Sequence, residues 1–142
     1  MKKDNLRRFI KGREATAALE FAIIAPLFFM TVFSMIAYGI YLSASHSVQQ
    51  VSADAARAAV AGLSPSERQV LARDYIEQSM INHPFIDRTK FEVAVADDTR
   101  NPNQFTVTVK YDASDLPIWS LYSYAMPDKE IVGFSTIRLG GI

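Results

Sequence analysis

The sequence predicts an α+β fold: a long N-terminal transmembrane helix extending into a small exported domain with a second helix and a three-stranded antiparallel sheet. Three observations carry this expectation. An uncharged run of twenty-two residues, Phe21 to Leu42, follows directly on a short basic segment. Beyond that run, apolar residues keep recurring at helical spacing as far as Leu63. After Pro84 the apolar period changes from 3.6 to 2, the signature of half-buried strands.

The apolar run, "FAIIAPLFFMTVFSMIAYGIYL", would span about 33 Å as a helix, enough for a hydrocarbon core of about 30 Å. A cleaved secretory signal would have a shorter apolar region of about 7–15 residues. Charge explains its orientation. Residues 1–14 hold six basic side chains (Lys2, Lys3, Arg7, Arg8, Lys11, Arg13) against Asp4 and Glu14, a balance of +4. With 15 basic and 15 acidic groups in all, nine and thirteen remain for the other 128 residues, a balance of −4. Basic residues precede the span closely and do not follow it closely, so the positive-inside rule keeps the N-terminus in the cytoplasm and exports the rest. The same placement makes the basic segment a topology signal rather than a nucleic-acid patch. Tyr38 and Tyr41 suit the far membrane interface.

After the span, Val48, Val51, Ala55, Ala58 or Ala59, and Leu63 form one narrow apolar stripe. The helix is therefore expected to run out of the bilayer to about Ala61 and stop at Gly62. The chain divides into a leader at 1–15, a transmembrane helix at 16–44 and an exported domain at 45–142. "SPSE" (Ser64–Glu67) restarts a helix: Ser64 caps, Pro65 suits the first turn, and Glu67 closes a capping box. That helix presents Leu71, Ala72, Tyr75, Ile76, Ser79 and Met80 on one side, and "NHP" (Asn82–Pro84) ends it. Phe91, Val93 and Val95 then alternate with polar or small residues, as do Phe105, Val107, Val109 and Tyr111. The turn-rich Asp97–Asn103 joins them as a hairpin. A segment bounded by Pro117 and Pro127 holds Trp119, Tyr122 and Tyr124, either as core filling or as an exposed patch. Glu130–Leu139 supplies a third strand.

The composition offers little to an enzyme. Without cysteine there is no disulfide, thiolate metal site or Cys nucleophile. His46 and His83 are single histidines with no second ligand at helical spacing, and Asp97 and Asp98 lie in a turn. There is no glycine-rich phosphate loop or nucleophile elbow. No cofactor, metal, catalytic residue or nucleic-acid partner is expected.

Glu20 stands out because it sits at the mouth of the apolar run. An acidic group deep in a membrane helix costs about 2.5–3.5 kcal/mol even on mild insertion scales, so such a residue tends to have a partner. The whole block, a basic leader followed by "ATAALEFAIIAP" and a membrane helix, resembles the TadE-like minor pseudopilins of tight-adherence (Tad/Flp) pilus systems. The resemblance implies a pilin-like subunit cut by a prepilin peptidase on the cytoplasmic side, with a glutamate at the fifth mature position. Counting back from Glu20 makes Thr16 the first mature residue and Ala15 the residue before the cut. Family members usually carry glycine there; Gly12 would put Glu20 out of register. The resemblance further implies that Glu20 neutralises a neighbour's new α-amino group during assembly. Pro26, by freeing the carbonyl of Ala22, would bend the helix. Implied partners are other Tad pseudopilins and pilin subunits, the prepilin peptidase and an inner-membrane assembly platform. The implied location is the bacterial inner membrane, single-pass, with the domain in the periplasm or in the pilus. An uncleaved single-pass envelope protein with a periplasmic binding or scaffold domain is the alternative.

Overall fold

One helix organises the molecule. In the computed structural model, which describes residues 3–79, 87–101, 103–121 and 126–140, α1 runs unbroken over Lys3–Ala59, 57 residues, or about 85 Å at 1.5 Å per residue. Pro26 lies inside it. Its two halves differ completely. From Ala15 to Met35 almost every side chain is exposed, whereas Ala37, Ala44, Val48, Val51, Ala55, Ala56 and Ala59 are buried. Apart from the adjacent pair Ala55 and Ala56, those positions fall at three-, four- and seven-residue intervals, so a single stripe meets the sheet domain. All seven are alanine or valine, smaller than leucine, which lets other elements approach closely.

The helix stops at Ala59, two residues before the expected end, with the Gly62 N–H donating to the Ala59 carbonyl at 3.0 Å. Leu63 does not belong to the stripe: it is 91% exposed, because the chain has already turned away. Gly62 is needed for packing, since a Cβ there would lie 2.8 Å from the Arg68 backbone nitrogen. Helix α2, Pro65–Ser79, begins at the predicted cap. The Glu67 N–H donates to Ser64 Oγ at 3.2 Å. The Glu67 carboxylate reaches back to the Leu63 N–H at 2.9 Å rather than to that of Ser64, one residue earlier than the usual box. Arg68, Ala72 and Ile76 form its buried line, with Leu71 and Tyr75 beside it and Ser79 exposed. Met80 and Asn82–Pro84 lie outside the described residues.

The sheet is β1 (Phe91–Asp97), β2 (Gln104–Asp112) and β3 (Glu130–Arg138), antiparallel throughout in the order β1-β2-β3. Val93 faces Val109, and Val109 in turn faces Gly133. This register puts Phe105, Val107, Val109 and Tyr111 on the inner face, all buried, with Phe91, Val93 and Val95 alongside them. In the hairpin the Asp98 carboxylate accepts the Arg100 N–H at 2.8 Å, while Asp98 N–H donates to the Gln104 carbonyl at 2.8 Å. The third strand ends one residue short of the expected Leu139. Gly133 on β3 meets α1 so closely that a Cβ would lie 2.9 Å from the Val48 carbonyl oxygen.

Both sheet edges are partly closed by glutamine. On α2, Gln69 uses its amide as a strand would, accepting the Val95 N–H at 2.8 Å and donating to the Val93 carbonyl. On α1, Gln49 donates to the Phe134 carbonyl of β3 at 2.9 Å. Exposed edges invite pairing with other chains, so these contacts protect as well as fasten.

Two substitutions test this packing. Gly133→Ala is expected to destabilise the domain by about 1–3 kcal/mol through overpacking against α1. Gln69→Ala is expected to cost about 1–3 kcal/mol for two lost hydrogen bonds at a strand edge. Both would be read from urea unfolding of the full chain in detergent micelles, followed through the single tryptophan. Wild-type midpoints for both variants would contradict the assigned contacts.

Candidate functional site on the long helix

The residues singled out in the sequence share one short stretch of α1. Ala15, Thr16, Ala17, Ala18 and Glu20 are all exposed on the bare half of the helix. No hydrogen bond or ion pair among the described residues reaches Glu20. The local sequence explains why this stretch is helical: alanine and leucine are strong helix formers, and Glu20 itself loses little rotamer freedom there. Pro26 follows Glu20 by almost two turns.

Above them the rod is apolar on every side. Leu19, Phe21, Ile23, Ile24, Leu27, Phe28 and Met30 are each more than half exposed. Phe28 and Phe29 meet edge-on with centroids 5.8 Å apart, and Phe29 stacks on Phe33 at 6.1 Å. The few hydroxyls are turned inward to the helix: Thr31 Oγ1 donates to the Leu27 carbonyl at 2.9 Å and Ser34 Oγ to that of Met30 at 2.8 Å. A segment that satisfies its own polar groups and presents only hydrocarbon is built for a non-aqueous surrounding. It is long and apolar enough to cross a membrane.

The match to known proteins falls on this element. Residues 15–57 match the family model described as TadE-like protein. The likeness is confined to this segment of the long helix. It begins at Ala15 and ends two residues before α1 does. No curated protein and no solved structure matches the chain.

Where the long helix leaves its bare half, the base of the sheet domain closes on it. The strand β3 runs alongside α1 in the same direction: Asp128, just before it, accepts a hydrogen bond from the Tyr41 hydroxyl at 3.3 Å, and Phe134, further along, is bonded to Gln49. The connection from β2 to β3 therefore lies at the end nearest the bare rod. It carries a short helix, α3 (Ile118–Leu121), packed against α1. Trp119 donates its indole N–H to the Ala113 carbonyl at 2.6 Å, and the Lys129 ammonium lies 5.5 Å from its ring centroid. Tyr122 and Tyr124 lie outside the described residues. Lys90, beside β1, pairs with Asp115 at 2.5 Å and joins the two connections at this end.

Other sequence candidates are dispersed. His46 is exposed on α1, and His83 lies outside the described residues. Asp98 closes its turn, but Asp97 pairs with Arg68 at 2.8 Å. The sequence reading missed Arg68. Its guanidinium is buried, donates to the Gly62 carbonyl at 3.1 Å and lies 4.9 Å from the Phe105 ring centroid. The available signal was a cation four residues before Ala72 and eight before Ile76, on an otherwise apolar stripe.

The base titrates in a defined way. The Ser114 N–H bonded to Asp112 at 2.9 Å, helped by the Ser114 hydroxyl, holds that carboxyl below its ordinary value. The hydrogen bond to Asp115 raises the Lys90 ammonium above its own. A depressed carboxyl stabilises the fold above the unfolded value of about 3.9 and loses that contribution as pH falls through the folded value. A raised lysine stabilises below about 10.4 and loses its contribution as pH rises through the folded value. The base is thus expected to loosen at the two extremes and hold between them. Trp119 fluorescence against pH should show an acid change that is diminished in Asp112→Asn; an identical acid profile in that variant would exclude Asp112 as its source.

Proposed function

We propose that the chain is a minor pseudopilin, a structural and assembly subunit of a Tad-type (type IVc) pilus that initiates or caps the filament. The observation that carries the proposal is the bare end of α1: an apolar rod with small residues and one unpaired carboxylate, Glu20, continuous with a TadE-like helix. In this reading the chain sits in the bacterial inner membrane with its N-terminus in the cytoplasm and its sheet domain in the periplasm. A prepilin peptidase cuts between Ala15 and Thr16, and the new α-amino group of one subunit meets the Glu20 carboxylate of the next. Pairing of that kind fixes register, as polar residues do in helix bundles. Other Tad pseudopilins, pilin subunits and the assembly platform are the partners. Pro26, which leaves the Ala22 carbonyl without its usual donor, is the bending point during extraction.

A second reading keeps the chain uncleaved, as a single-pass envelope protein with a periplasmic binding or scaffold domain. Ala15, standing where a glycine precedes the cut in similar proteins, favours it.

Mass spectrometry of the protein isolated from membranes containing the peptidase separates the two. A mature chain beginning at Thr16 is expected; an intact leader would exclude processing. Glu20→Gln should insert normally yet crosslink to partner pseudopilins about tenfold or more less, as loss of a charged hydrogen bond of about 1.5–3 kcal/mol implies. Unchanged crosslinking would remove Glu20 from the assembly contact.

A further inference from the structure

The base of the exported domain fixes how deep α1 can sit in a membrane. Met35 is 71% exposed, yet Ala37, two residues later, is fully buried, and Ile40 and Tyr41 are packed against the domain core. The Tyr41 hydroxyl is held by the Asp128 carbonyl, which ties Asp128, Lys129 and Glu130 to this level of the helix. All three are exposed. Placing the whole apolar run from Phe21 to Leu42 in hydrocarbon would pull this charged segment in with it, at about 2.5–3.5 kcal/mol for each charged side chain near the centre and less near the edge. The helix alone would tolerate that depth; the domain bound to it does not.

We infer that the base seats on the outer lipid surface at the level of Ala37–Tyr41, so that the segment in hydrocarbon is about Ala17–Ile36 and not Phe21–Leu42. This rests on the reading that α1 crosses a membrane. The chemistry at that level suits a headgroup boundary. Tyr38, Tyr41 and Trp119 lie on the helix and on the α3 connection packed beside it, and Trp119 carries Lys129 over its ring. Amphipathic aromatic rings with a nearby lysine are what membrane interfaces accommodate. The Asp128 and Asp115 side chains remain in water, and Asp115 keeps Lys90 with it.

The shift of register changes the other end of the helix. About twenty residues cross the hydrocarbon core, so counting back from Ile36 places the cytoplasmic edge near Ala17. Glu20 lies about 25 Å below Ala37, several ångströms inside the core and not at its mouth. The bond between Ala15 and Thr16 arrives at the membrane surface. Seating of the domain therefore presents the cleavage position at the boundary and holds the carboxylate where only a partner group can satisfy it.

The chain has no cysteine, so single-cysteine variants of the full chain give a clean test. The probes are Ala18→Cys, Leu27→Cys, Gly39→Cys and Gln50→Cys, labelled with a membrane-impermeant maleimide from the exported side in spheroplasts and from the cytoplasmic side in inverted vesicles. Gly39 accepts a side chain freely, since nothing lies within 4 Å of an added Cβ. Gly39→Cys is expected to react from the exported side within about threefold of Gln50→Cys. Leu27→Cys and Ala18→Cys are expected to be at least tenfold slower from either side. With Leu27→Cys protected, a protected Gly39→Cys or an Ala18→Cys that reacts from the cytoplasmic side would overturn the seating. If Leu27→Cys reacts as fast as Gln50→Cys, α1 does not lie in lipid, and the membrane reading itself fails.

Discussion

Everything in this molecule depends on one helix serving two surroundings without a break. The same α1 that is largely exposed from Ala15 to Met35 becomes the central element of a folded domain from Ala37 onward. No flexible joint separates the two roles; the backbone is helical throughout Lys3–Ala59. Forces applied to the bare rod therefore reach the sheet directly, through Gly133 against Val48 and through the alanine stripe. The close approach at Gly133 is what allows so small a sheet to hold so long a helix. With little area to bury, the domain relies on short distances between backbone elements and on small side chains.

Much of this organisation is legible in the sequence, and for identifiable reasons. The apolar run of Phe21–Leu42, the cap at Ser64 and the alternation in Phe105–Tyr111 are local signals, each written by neighbouring residues. They gave the long helix, the start of the second, the hairpin and the strand periods; α1 begins at Lys3, well before the expected membrane helix at 16, and the short helix α3 was not foreseen. What could not be read is non-local. Leu63 fits the helical stripe by spacing, but the turn at Gly62, required by Arg68 packing against it, points Leu63 into solvent. The two glutamine edge contacts depend on where α1 and α2 cross the sheet, which no period encodes. At the candidate site the sequence marks Ala15, Thr16, Glu20 and Pro26 as a group on one stretch of helix. It cannot mark the proposed depth at which they sit, because that proposal rests on Tyr41 meeting Asp128, 87 residues apart in the chain.

Glu20 illustrates the difference between a local and an assembled environment. In the isolated chain it is exposed and its charge has no counterpart among the described residues. Placed in hydrocarbon it would be penalised, and the proposed neighbour's α-amino group would offset that penalty. A carboxylate that is merely interfacial has no such preference, since water satisfies it. The proposed depth and the proposed pairing are thus linked. A deeper Glu20 is more costly alone and gains more from a partner, because electrostatic interactions strengthen as water is excluded.

The apolar residues around it set the scale against which that pairing acts. Eleven large apolar side chains between Leu19 and Ile36 are exposed. Burying each contributes about 1.5–3 kcal/mol, so moving them into water would cost roughly 15–30 kcal/mol, more than the whole stability of a typical domain, about 5–15 kcal/mol. The rod can leave a membrane only for another apolar environment, and a bundle of like helices is one. For the apolar side chains themselves that exchange is nearly neutral, because lipid tails are as apolar as leucine. Direction must then come from interactions that lipid cannot supply. In the proposed assembly, close contact through Ala17, Ala18, Ala22 and Ala25 supplies one, and neutralisation of Glu20 the other. On the proposed reading, an energetically balanced rod with one costly carboxylate moves into an assembly when a cation is waiting there, and stays in the bilayer when none is.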